Sequence, residues 1–421
     1  MGRFSERAIL LLLAAVQFTH IMDFMIMMPL GPQLMRELQI GPGRFSALVA
    51  AYTVSSGVVG LLAAPFIDRF DRRPLLLFAY AGFAMGTLAC ALSHNAGALL
   101  AARVLTGAFG GVSGSLVMAI VSDVVPPERR AAGIGIVMTA FSLAAALGVP
   151  FGLQLAQHFQ WEAPFFLLGG TACAMWLALF SVLPAVRAHL AAPGDRTRAF
   201  AELLRDANAG RALLFMGALV FGHFTIIPLL SPHLVANVGL PERDLFLVYL
   251  VGGTLSVFTA PLVGRLADLL GRFRIYCALV VVACLVTLAI ACAGPLPVWM
   301  VLVLSGAFFV FASGRFVPGQ AIVSLAVPPS RRGAFMSLNS CARDLAAGLT
   351  SAVGGWVVSR GPSGELLNFK WLGWLAVAAG LVSVWLASQV QANEITPATA
   401  PIAPSDALPQ STVNPSLVAD E

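Results

Sequence analysis

Five charged side chains lie deep within long apolar stretches of this sequence: Asp23, Arg103, Arg315, Arg343 and Asp344. A charge at the centre of a bilayer costs at least about 2.5 kcal/mol even on the lenient insertion scale. Such residues are therefore expected to face the interior of a helical bundle and to find partners there. A carboxylate that can either pair with arginine or take up a proton is what proton coupling requires, because its protonation biases a conformational equilibrium.

Asp23 and Arg103 are candidates for such a pair. Asp23 lies about 18 Å from one end of its apolar stretch and Arg103 about 8 Å from the matching end of its own, and a long arginine side chain can largely bridge that difference. His20 lies one turn before Asp23 on the same helical face. We interpret the three as proton-coupling or cavity residues; the alternative is a permanent structural ion pair. His223, which aligns with Asp23 at an offset of 200 residues, is a further cavity candidate or a packing histidine.

Arg315 and Asp344 lie at similar depths, each about 15 to 18 Å from the same end of its stretch. The matching depths predict a buried Arg315–Asp344 pair, with Arg343 as a competing partner. Such a pair would hold the second half of the protein together. The alternative is that its arginine contacts an anionic group of a substrate.

The composition requires a membrane protein. Of 421 residues, 58% are hydrophobic and only 11% are charged, whereas soluble domains carry about 25% charged residues. The apolar runs predict twelve transmembrane helices, because helices satisfy every backbone polar group within lipid. The arginines lie mainly in loops between these runs, so the net charge of +5 indicates membrane anchoring and not nucleic-acid binding. The six cysteines form no ligand-spaced cluster, and neither a metal site nor a cofactor is expected.

The loop arginines also predict an orientation. Seventeen basic residues fall on the side of the N-terminus and five on the other, which favours cytoplasmic N- and C-termini. We divide the chain into a first bundle at 1–184, a linker with an amphipathic helix at 185–210, a second bundle at 211–392 and a disordered cytoplasmic tail at 393–421.

Repeated segments predict that the two bundles are pseudo-symmetric, with six helices each. The run Val125-Pro126-Pro127-Glu128-Arg129-Arg130 returns 202 residues later as Val327-Pro328-Pro329-Ser330-Arg331-Arg332. An acidic and basic turn also occurs twice, and we interpret its charges as a conformational latch that forms when the basic side closes. The latch candidates are Asp68, Arg69, Arg72, Arg73, Asp123, Asp268 and Arg272. Within them, Asp123 is expected to pair with Arg72, and Asp68 to cap the helix that begins near Arg332; a solvated loop is the alternative.

These residues resemble the major facilitator superfamily. Asp68, Arg69, Arg72 and Arg73 match its loop between helices 2 and 3, although Ala64 and Asp71 replace both glycines of the pattern. Arg103 matches the helix-4 arginine of the family, a residue implicated in proton transfer. The run Gly148-Val149-Pro150-Phe151-Gly152 resembles the antiporter motif, with Val149 interposed, and its small residues allow close helix packing. The resemblance implies twelve helices, a central cavity lined by helices 1, 4, 7 and 10, and similarity to drug/proton antiporters and sugar-efflux relatives.

Three functions are compatible with these residues. The first is proton-coupled efflux of a small, amphipathic molecule by a monomer in a bacterial inner membrane, with protons, substrate and lipid as the only partners. The second is proton symport that takes up a sugar or an organic anion. The third is a polytopic membrane enzyme or sensor, which is disfavoured because neither a nucleophile–base set nor an ATP-binding loop is found.

Overall fold

The computed structural model describes residues 6–67, 69–126, 129–187, 202–203, 205–328 and 331–392, nearly all of them helical. Within these ranges, eleven helical segments of 20–30 residues are long and apolar enough to cross a membrane. The helix Arg332–Val357 is equally long at 26 residues but more polar, because it contains Asn339, Arg343 and Asp344. Counting that helix, the described chain has the twelve spans that the apolar runs predict.

The described residues of the first half form eight α-helices. They are α1 (Glu6–Ile26), α2 (Gly31–Glu37), α3 (Pro42–Ile67), α4 (Arg72–Ala91), α5 (Ala96–Val124), α6 (Arg130–Leu143), α7 (Val149–His158) and α8 (Ala163–Val182). A π-helical turn at Ala144–Gly148 joins α6 to α7, so the two form one interrupted span.

The second half has a similar plan, but its π turn lies in the fourth span instead of the fifth. Its helices are α9 (Ala207–Phe224), α10 (Ile227–Ala236), α11 (Leu245–Leu270), α12 (Arg272–Ala291), α13 (Val298–Phe308), α14 (Phe316–Leu325), α15 (Arg332–Val357) and α16 (Phe369–Gln389). A π-helical turn at Phe309–Ser313 interrupts the span formed by α13 and α14, and a 3₁₀ turn at Glu242–Asp244 precedes α11. A hairpin pairs two strands of two residues each, β1 (Ser359–Arg360) and β2 (Leu366–Leu367). The amphipathic helix predicted in the linker falls mostly on residues 188–201, and the predicted tail on 393–421, both outside the described residues.

Polar caps decide where several helices begin. Asp71 accepts a hydrogen bond from the Arg73 amide at the start of α4, and Asn95 accepts one from the Ala98 amide at the start of α5. Asp206 caps α9 by accepting from two backbone amides of its first turn. Each cap satisfies amides that the first helical turn leaves without a partner, which fixes the loop that precedes the helix.

We call the side of the molecule that carries Arg72, Arg129, Arg187, Arg272 and Arg331 the basic side, and the opposite side, with the hairpin, the far side. Large apolar side chains cover the helix surfaces between them, in keeping with lipid contact: Trp356 is 86% exposed and Phe258 is 74% exposed. Such a surface would be unstable in water.

Two sets of helix contacts form most of the interface between the halves. The antiparallel helices α3 and α15 pack closely because glycines face the partner: a Cβ on Gly43 would lie 3.1 Å from the Gly355 carbonyl, and one on Gly57 2.9 Å from that of Cys341. On the other flank, α11 packs against α7 and the π turn far more than against α6. Because α7 lies toward the far side, the halves are closer together there than on the basic side.

Candidate functional site

An ion pair between Asp23 of α1 and Arg103 of α5 lies inside the first half. Arg103 Nη1 is 2.7 Å from Asp23 Oδ2, and neither side chain has exposed surface. Thr87 of α4 donates a hydrogen bond of 3.1 Å to the other carboxylate oxygen. The Tyr52 ring of α3 lies 4.4 Å from the guanidinium carbon, a cation–π distance. Four helices of the first half therefore converge on one buried pair.

The Asp23–Arg103 pair is held by fewer hydrogen bonds than its burial demands. Nε and Nη2 of Arg103 are buried and have no hydrogen-bond partner among the described residues. A buried ion pair offsets its desolvation only when the remaining donors are also satisfied. The arginine thus retains donors for a water, a proton-carrying group or a substrate, which a purely structural pair would not need.

Other buried polar atoms without partners lie next to the pair. Both ring nitrogens of His20, Gln17 Oε1 and the Tyr52 hydroxyl find no hydrogen-bond partner in the described part of the chain. Gly110 leaves space between them, since a Cβ there would lie 2.8 Å from the Tyr52 oxygen and 2.9 Å from His20 Nε2. Groups of this kind require water or a polar ligand. We call Gln17, His20, Tyr52, Asp23 and Arg103 the first-half polar cluster.

Tyr52 and Thr87 are site residues that sequence reasoning missed. All four tyrosines of the chain are buried. The other three share hydrogen bonds of 2.6–2.7 Å with hydroxyl groups, as Tyr80–Thr19, Tyr249–Ser231 and Tyr276–Ser383. Tyr52 differs because its hydroxyl has no partner among the described residues, and it is within electrostatic range of both Asp23 and Asp344. A rare polar aromatic inside an apolar stretch was the available signal.

The predicted Arg315–Asp344 pair is wrong. Asp344 instead accepts a hydrogen bond of 2.7 Å from Ser56 Oγ, which belongs to α3 of the other half. Arg343 Nε lies 4.0 Å from Asp344 Oδ1, and these side chains are 46% and 32% exposed. Asp344 is therefore a half-buried acid at the seam between α3 and α15.

The error arose because depth in the membrane does not define which way a side chain points. The π-helical turn Phe309–Ser313 ends just before Arg315. A π turn holds one more residue than an α turn, which rotates the following residues by about 100° around the helix. The Arg315 guanidinium consequently points between α9 and α16, near Gly222 and Gly380, and not toward α15.

His223, the other second-half candidate, lies close to Arg315. Its ring stacks on Phe308 with centroids 5.7 Å apart and meets Phe316 edge-on at 5.3 Å. The side chain is buried, and its Nδ1 has no partner among residues that the structure describes. The second half therefore brings together two basic groups, whereas the first half pairs a base with an acid.

The predicted latch residues form local contacts on the basic side. Arg72 pairs with Asp123 at 2.9 Å, as expected, but α4 and α5 both belong to the first half, so this pair does not join the bundles as the latch hypothesis supposed. Arg73 donates to the Phe180 carbonyl at 2.7 Å. Asp71, which replaces a family glycine, pairs with Arg187 at 2.7 Å.

The remaining latch candidates contribute little to the described structure. Arg69 lies over the Phe66 ring at 5.4 Å. Asp268 lies 3.5 Å from Arg272 one turn along the chain, and their side chains are 70% and 39% exposed. Asp68 is outside the described residues, so its predicted capping role stays a prediction.

A contact that sequence reasoning missed joins the halves on the far side. The Arg36 guanidinium, in the last turn of α2, pairs with the Glu242 carboxylate before α11. Gln157 at the end of α7 also donates to the Glu242 carbonyl at 2.8 Å. Nothing in the sequence relates positions 36 and 242, so the far-side arginines indicate only the orientation of the chain and not this contact.

The glycines of the antiporter-like motif act within the first half. A Cβ on Gly148 would lie 2.7 Å from Met22 Sδ, and a Cβ on Gly152 would lie 2.7 Å from the Ile26 side chain. Both glycines therefore allow α1 to pack closely against this span. Pro150 follows the π turn at the start of α7. The cross-half contact is made one turn earlier, where Gly253 leaves room for the Ala145 carbonyl.

Comparison with known proteins agrees with this architecture. Residues 13–313 match the family model described as Major Facilitator Superfamily. The chain belongs to the Major Facilitator Superfamily. It is therefore a membrane transporter and not an enzyme.

Relatives within the Major Facilitator Superfamily cover most of the chain. The uncharacterized MFS-type transporter YceJ of Bacillus subtilis is 25% identical over 346 residues, which are 82% of this chain and 87% of the relative. A probable sugar efflux transporter of Helicobacter pylori strain P12 is 27% identical over 347 residues, 80% of this chain and 83% of the relative. The crystal structure of a D-xylose-proton symporter has the same fold, with a TM-score of 0.71 at 16% identity, over 90% of this chain and 97% of that one.

Proposed function

We propose that this transporter exports a small amphipathic molecule across a bacterial inner membrane in exchange for protons. The observation that carries the proposal is the fully buried Asp23–Arg103 pair. A pair that is incompletely hydrogen-bonded, inside a cavity-lining bundle, suits a group that changes its protonation during transport. No cofactor is required, because the proton gradient supplies the free energy, and a monomer contains the complete site.

Protonation of Asp23 would change what Arg103 binds. While Asp23 is ionised, its charge offsets the buried guanidinium. When Asp23 takes up a proton, the ion pair is lost and the cation is left with the Tyr52 ring and the Asp23 carbonyl. Because an uncompensated buried charge costs several kcal/mol, on the order of 3–5, the protonated state favours a conformation in which Arg103 finds water or another partner.

The arginine distribution supports cytoplasmic termini and therefore a cytoplasmic basic side. In that orientation the described structure is closed toward the outside by the Arg36–Glu242 pair and by the α3–α15 seam. Transport would alternate between this state and one that is closed on the basic side. Asp344 and Ser56 lie on the seam that must loosen.

Aromatic side chains favour an amphipathic substrate. Phe24 of α1 and Phe224 of α9 face each other across the halves with ring centroids 6.0 Å apart, and Phe24 stacks on Tyr52 at 5.6 Å. The first-half polar cluster therefore lies beside an apolar surface that both halves share. Similarity to a probable sugar efflux transporter supports export as the direction.

The decisive experiment uses inverted membrane vesicles with an acidic interior. We would add sugars, aromatic acids and cationic dyes in turn and follow the proton gradient with a pH-sensitive fluorophore. An exported compound is taken up into such vesicles while it dissipates the gradient. Asp23→Asn should abolish this coupled uptake, whereas Asp244→Asn, which removes an acid from the 3₁₀ turn before α11, should leave it unchanged.

Full gradient-driven uptake by Asp23→Asn would contradict the coupling role. The same assay tests the second candidate, proton-coupled uptake of a sugar or an organic anion, which is favoured by the buried basic groups Arg315 and His223. For a symporter, an acidic interior would drive the compound out of preloaded vesicles instead of drawing it in.

A further inference from the structure

Arg315 is a buried cation without an acidic partner among the described residues. Only 3% of the residue is exposed. Its one hydrogen bond within the described chain runs from Nε to the Ala312 carbonyl at 3.2 Å, so neither Nη atom donates to a described residue. No carboxylate of the described residues lies within 4.0 Å of the guanidinium. The other buried arginines differ in this respect, because Arg103 pairs with Asp23 and Arg72 pairs with Asp123.

Three helices leave room around this guanidinium. A Cβ on Gly222 of α9 would lie 3.3 Å from Nη2, and one on Gly380 of α16 would lie 3.9 Å from Nη1. On α12, Cys284 and Tyr276 are the groups within electrostatic range. None of these neighbours carries a negative charge in its ordinary ionisation state.

A second buried polar group without a partner lies beside Arg315. His223 is 7% exposed, within electrostatic range of Arg315, and its Nδ1 is buried with no hydrogen-bond partner among the described residues. The histidine stacks on Phe308 with planes 7° apart, which fixes the orientation of its ring. A buried imidazole of fixed orientation next to two guanidinium nitrogens without hydrogen bonds to described residues is a suitable geometry for an anion.

We propose that Arg315, with His223, binds a monoanionic group in the second half of the transporter. A buried guanidinium is stable only when its charge is compensated, and its planar fork matches a carboxylate with two parallel hydrogen bonds. The anion is either the carboxylate of a transported substrate or a small free anion such as chloride. The first source rests on the proposed transport function, and the second does not.

Binding can be measured on the purified full-length protein in detergent, without a proton gradient. Thermal unfolding and titration calorimetry would compare sodium benzoate with its neutral isostere benzamide, and would test sodium chloride separately. We expect benzoate, chloride or both to raise the melting temperature, and benzamide to have no effect. Benzoate alone would indicate a substrate carboxylate, and chloride alone a free anion.

Two variants connect such binding with Arg315. Arg315→Gln should weaken anion affinity about 10- to 100-fold, the loss expected for charge-assisted hydrogen bonds. Arg274→Gln, which removes an exposed arginine from the same half, should leave the affinity unchanged. Cys284→Asp keeps Arg315 but places a carboxylate beside it, and should abolish anion stabilisation even if Arg315→Gln does not fold.

The proposal is overturned if neither benzoate nor chloride stabilises the wild-type protein, or if stabilisation persists in Cys284→Asp or in folded Arg315→Gln. Failure here is separable from failure of proton-coupled export. Asp23→Asn should lose coupled transport but keep anion binding. If the wild-type protein shows proton-coupled transport but is stabilised by neither benzoate nor chloride, only the anion site is refuted.

Discussion

The two halves treat a buried arginine in opposite ways. Arg103 in the first half is neutralised by Asp23 at 2.7 Å and supported by Thr87 and Tyr52. Arg315 in the second half is almost as deeply buried, but the described residues around it include a histidine, a tyrosine and a cysteine and no acid. The first half therefore supplies its own counter-charge, and the described residues of the second half supply none.

The buried charges are not among the residues that the two repeated halves share. At the offset of 202 residues set by the Val-Pro-Pro repeats, Arg103 corresponds to Ser305 and Arg315 to Ser113. The Val-Pro-Pro loops recur in both halves, whereas the π turns lie in non-equivalent spans, the fifth span of the first half and the fourth of the second. The buried charges occur at positions where the repeat is broken, and that is where proton and substrate are expected to act.

Removing the acid from the first half should have the largest effect. Asp23→Ala leaves Arg103 buried without its partner, which should lower the free energy of unfolding by about 3–5 kcal/mol. Arg315→Met in the second half should be neutral or stabilising without anions, because no partner is left behind and an apolar side chain fills the space. Denaturant unfolding in detergent measures both.

A double variant sharpens this contrast. Asp23→Ala combined with Arg103→Met should recover most of the stability lost in Asp23→Ala, since the orphaned charge is gone. If Asp23→Ala and Arg315→Met were equally destabilising, the two arginines would not differ in the way that the structure indicates.

The sequence was sufficient for the fold and for the first-half pair. Apolar runs of about 20 residues predict spans because the backbone has no other way to satisfy its polar groups in lipid. The Asp23–Arg103 pair could be predicted because the long arginine side chain can reach a partner that lies at a different depth in the membrane. The α15 span was predicted despite Arg343 and Asp344, since its apolar residues still repeat with helical period.

The second-half pair could not be predicted, because its geometry depends on one extra residue in a turn. Nothing in Phe309–Ser313 marks it as π-helical in the sequence, yet that turn decides which helices Arg315 faces. Similarly, the Arg36–Glu242 contact depends on how α2 meets the distant turn that precedes α11. Side-chain direction and long-range contacts follow from packing, which periodicity does not encode.

The tyrosines allow a comparison of function with stability. Tyr276→Phe removes the hydrogen bond to Ser383 and should lower the free energy of unfolding by about 0.5–1.5 kcal/mol. Tyr52→Phe keeps the ring on Arg103 and removes a buried hydroxyl that lacks a partner among the described residues, so stability should be unchanged or slightly higher. Coupled transport should nevertheless fall if the hydroxyl contacts substrate or relays protons.

Vesicle uptake and unfolding should be measured on the same Tyr52→Phe preparation. A variant that transports normally would remove Tyr52 from the site and leave only its packing against Arg103.

The far-side contact should have a smaller effect, confined to the conformational equilibrium. Glu242→Gln weakens an exposed ion pair that is worth about 0–1 kcal/mol, so the open far side should gain at most about fivefold in population. In a background without native cysteines, a Ser46→Cys reporter at the buried α3–α15 seam should then react faster with an impermeant maleimide. Arg243→Gln, a neighbouring exposed charge, should not change the labelling rate.

The smallest expected effect concerns Asp71 on the basic side. Partial burial raises the pKa of its carboxyl, but hydrogen bonds from Arg187 and from the Arg73 and Val186 amides outweigh burial and lower the pKa below its usual value. A lowered folded-state pKa stabilises the protein above the unfolded value of about 3.9, and this stabilisation is lost as the pH falls through the folded pKa. Asp71→Asn should therefore melt below wild type at pH 6, and the difference should disappear as the pH falls through the lowered folded-state pKa of Asp71. A difference that stays constant down to the lowest pH would mean that Asp71 acts through its shape at the start of α4 and not through its charge.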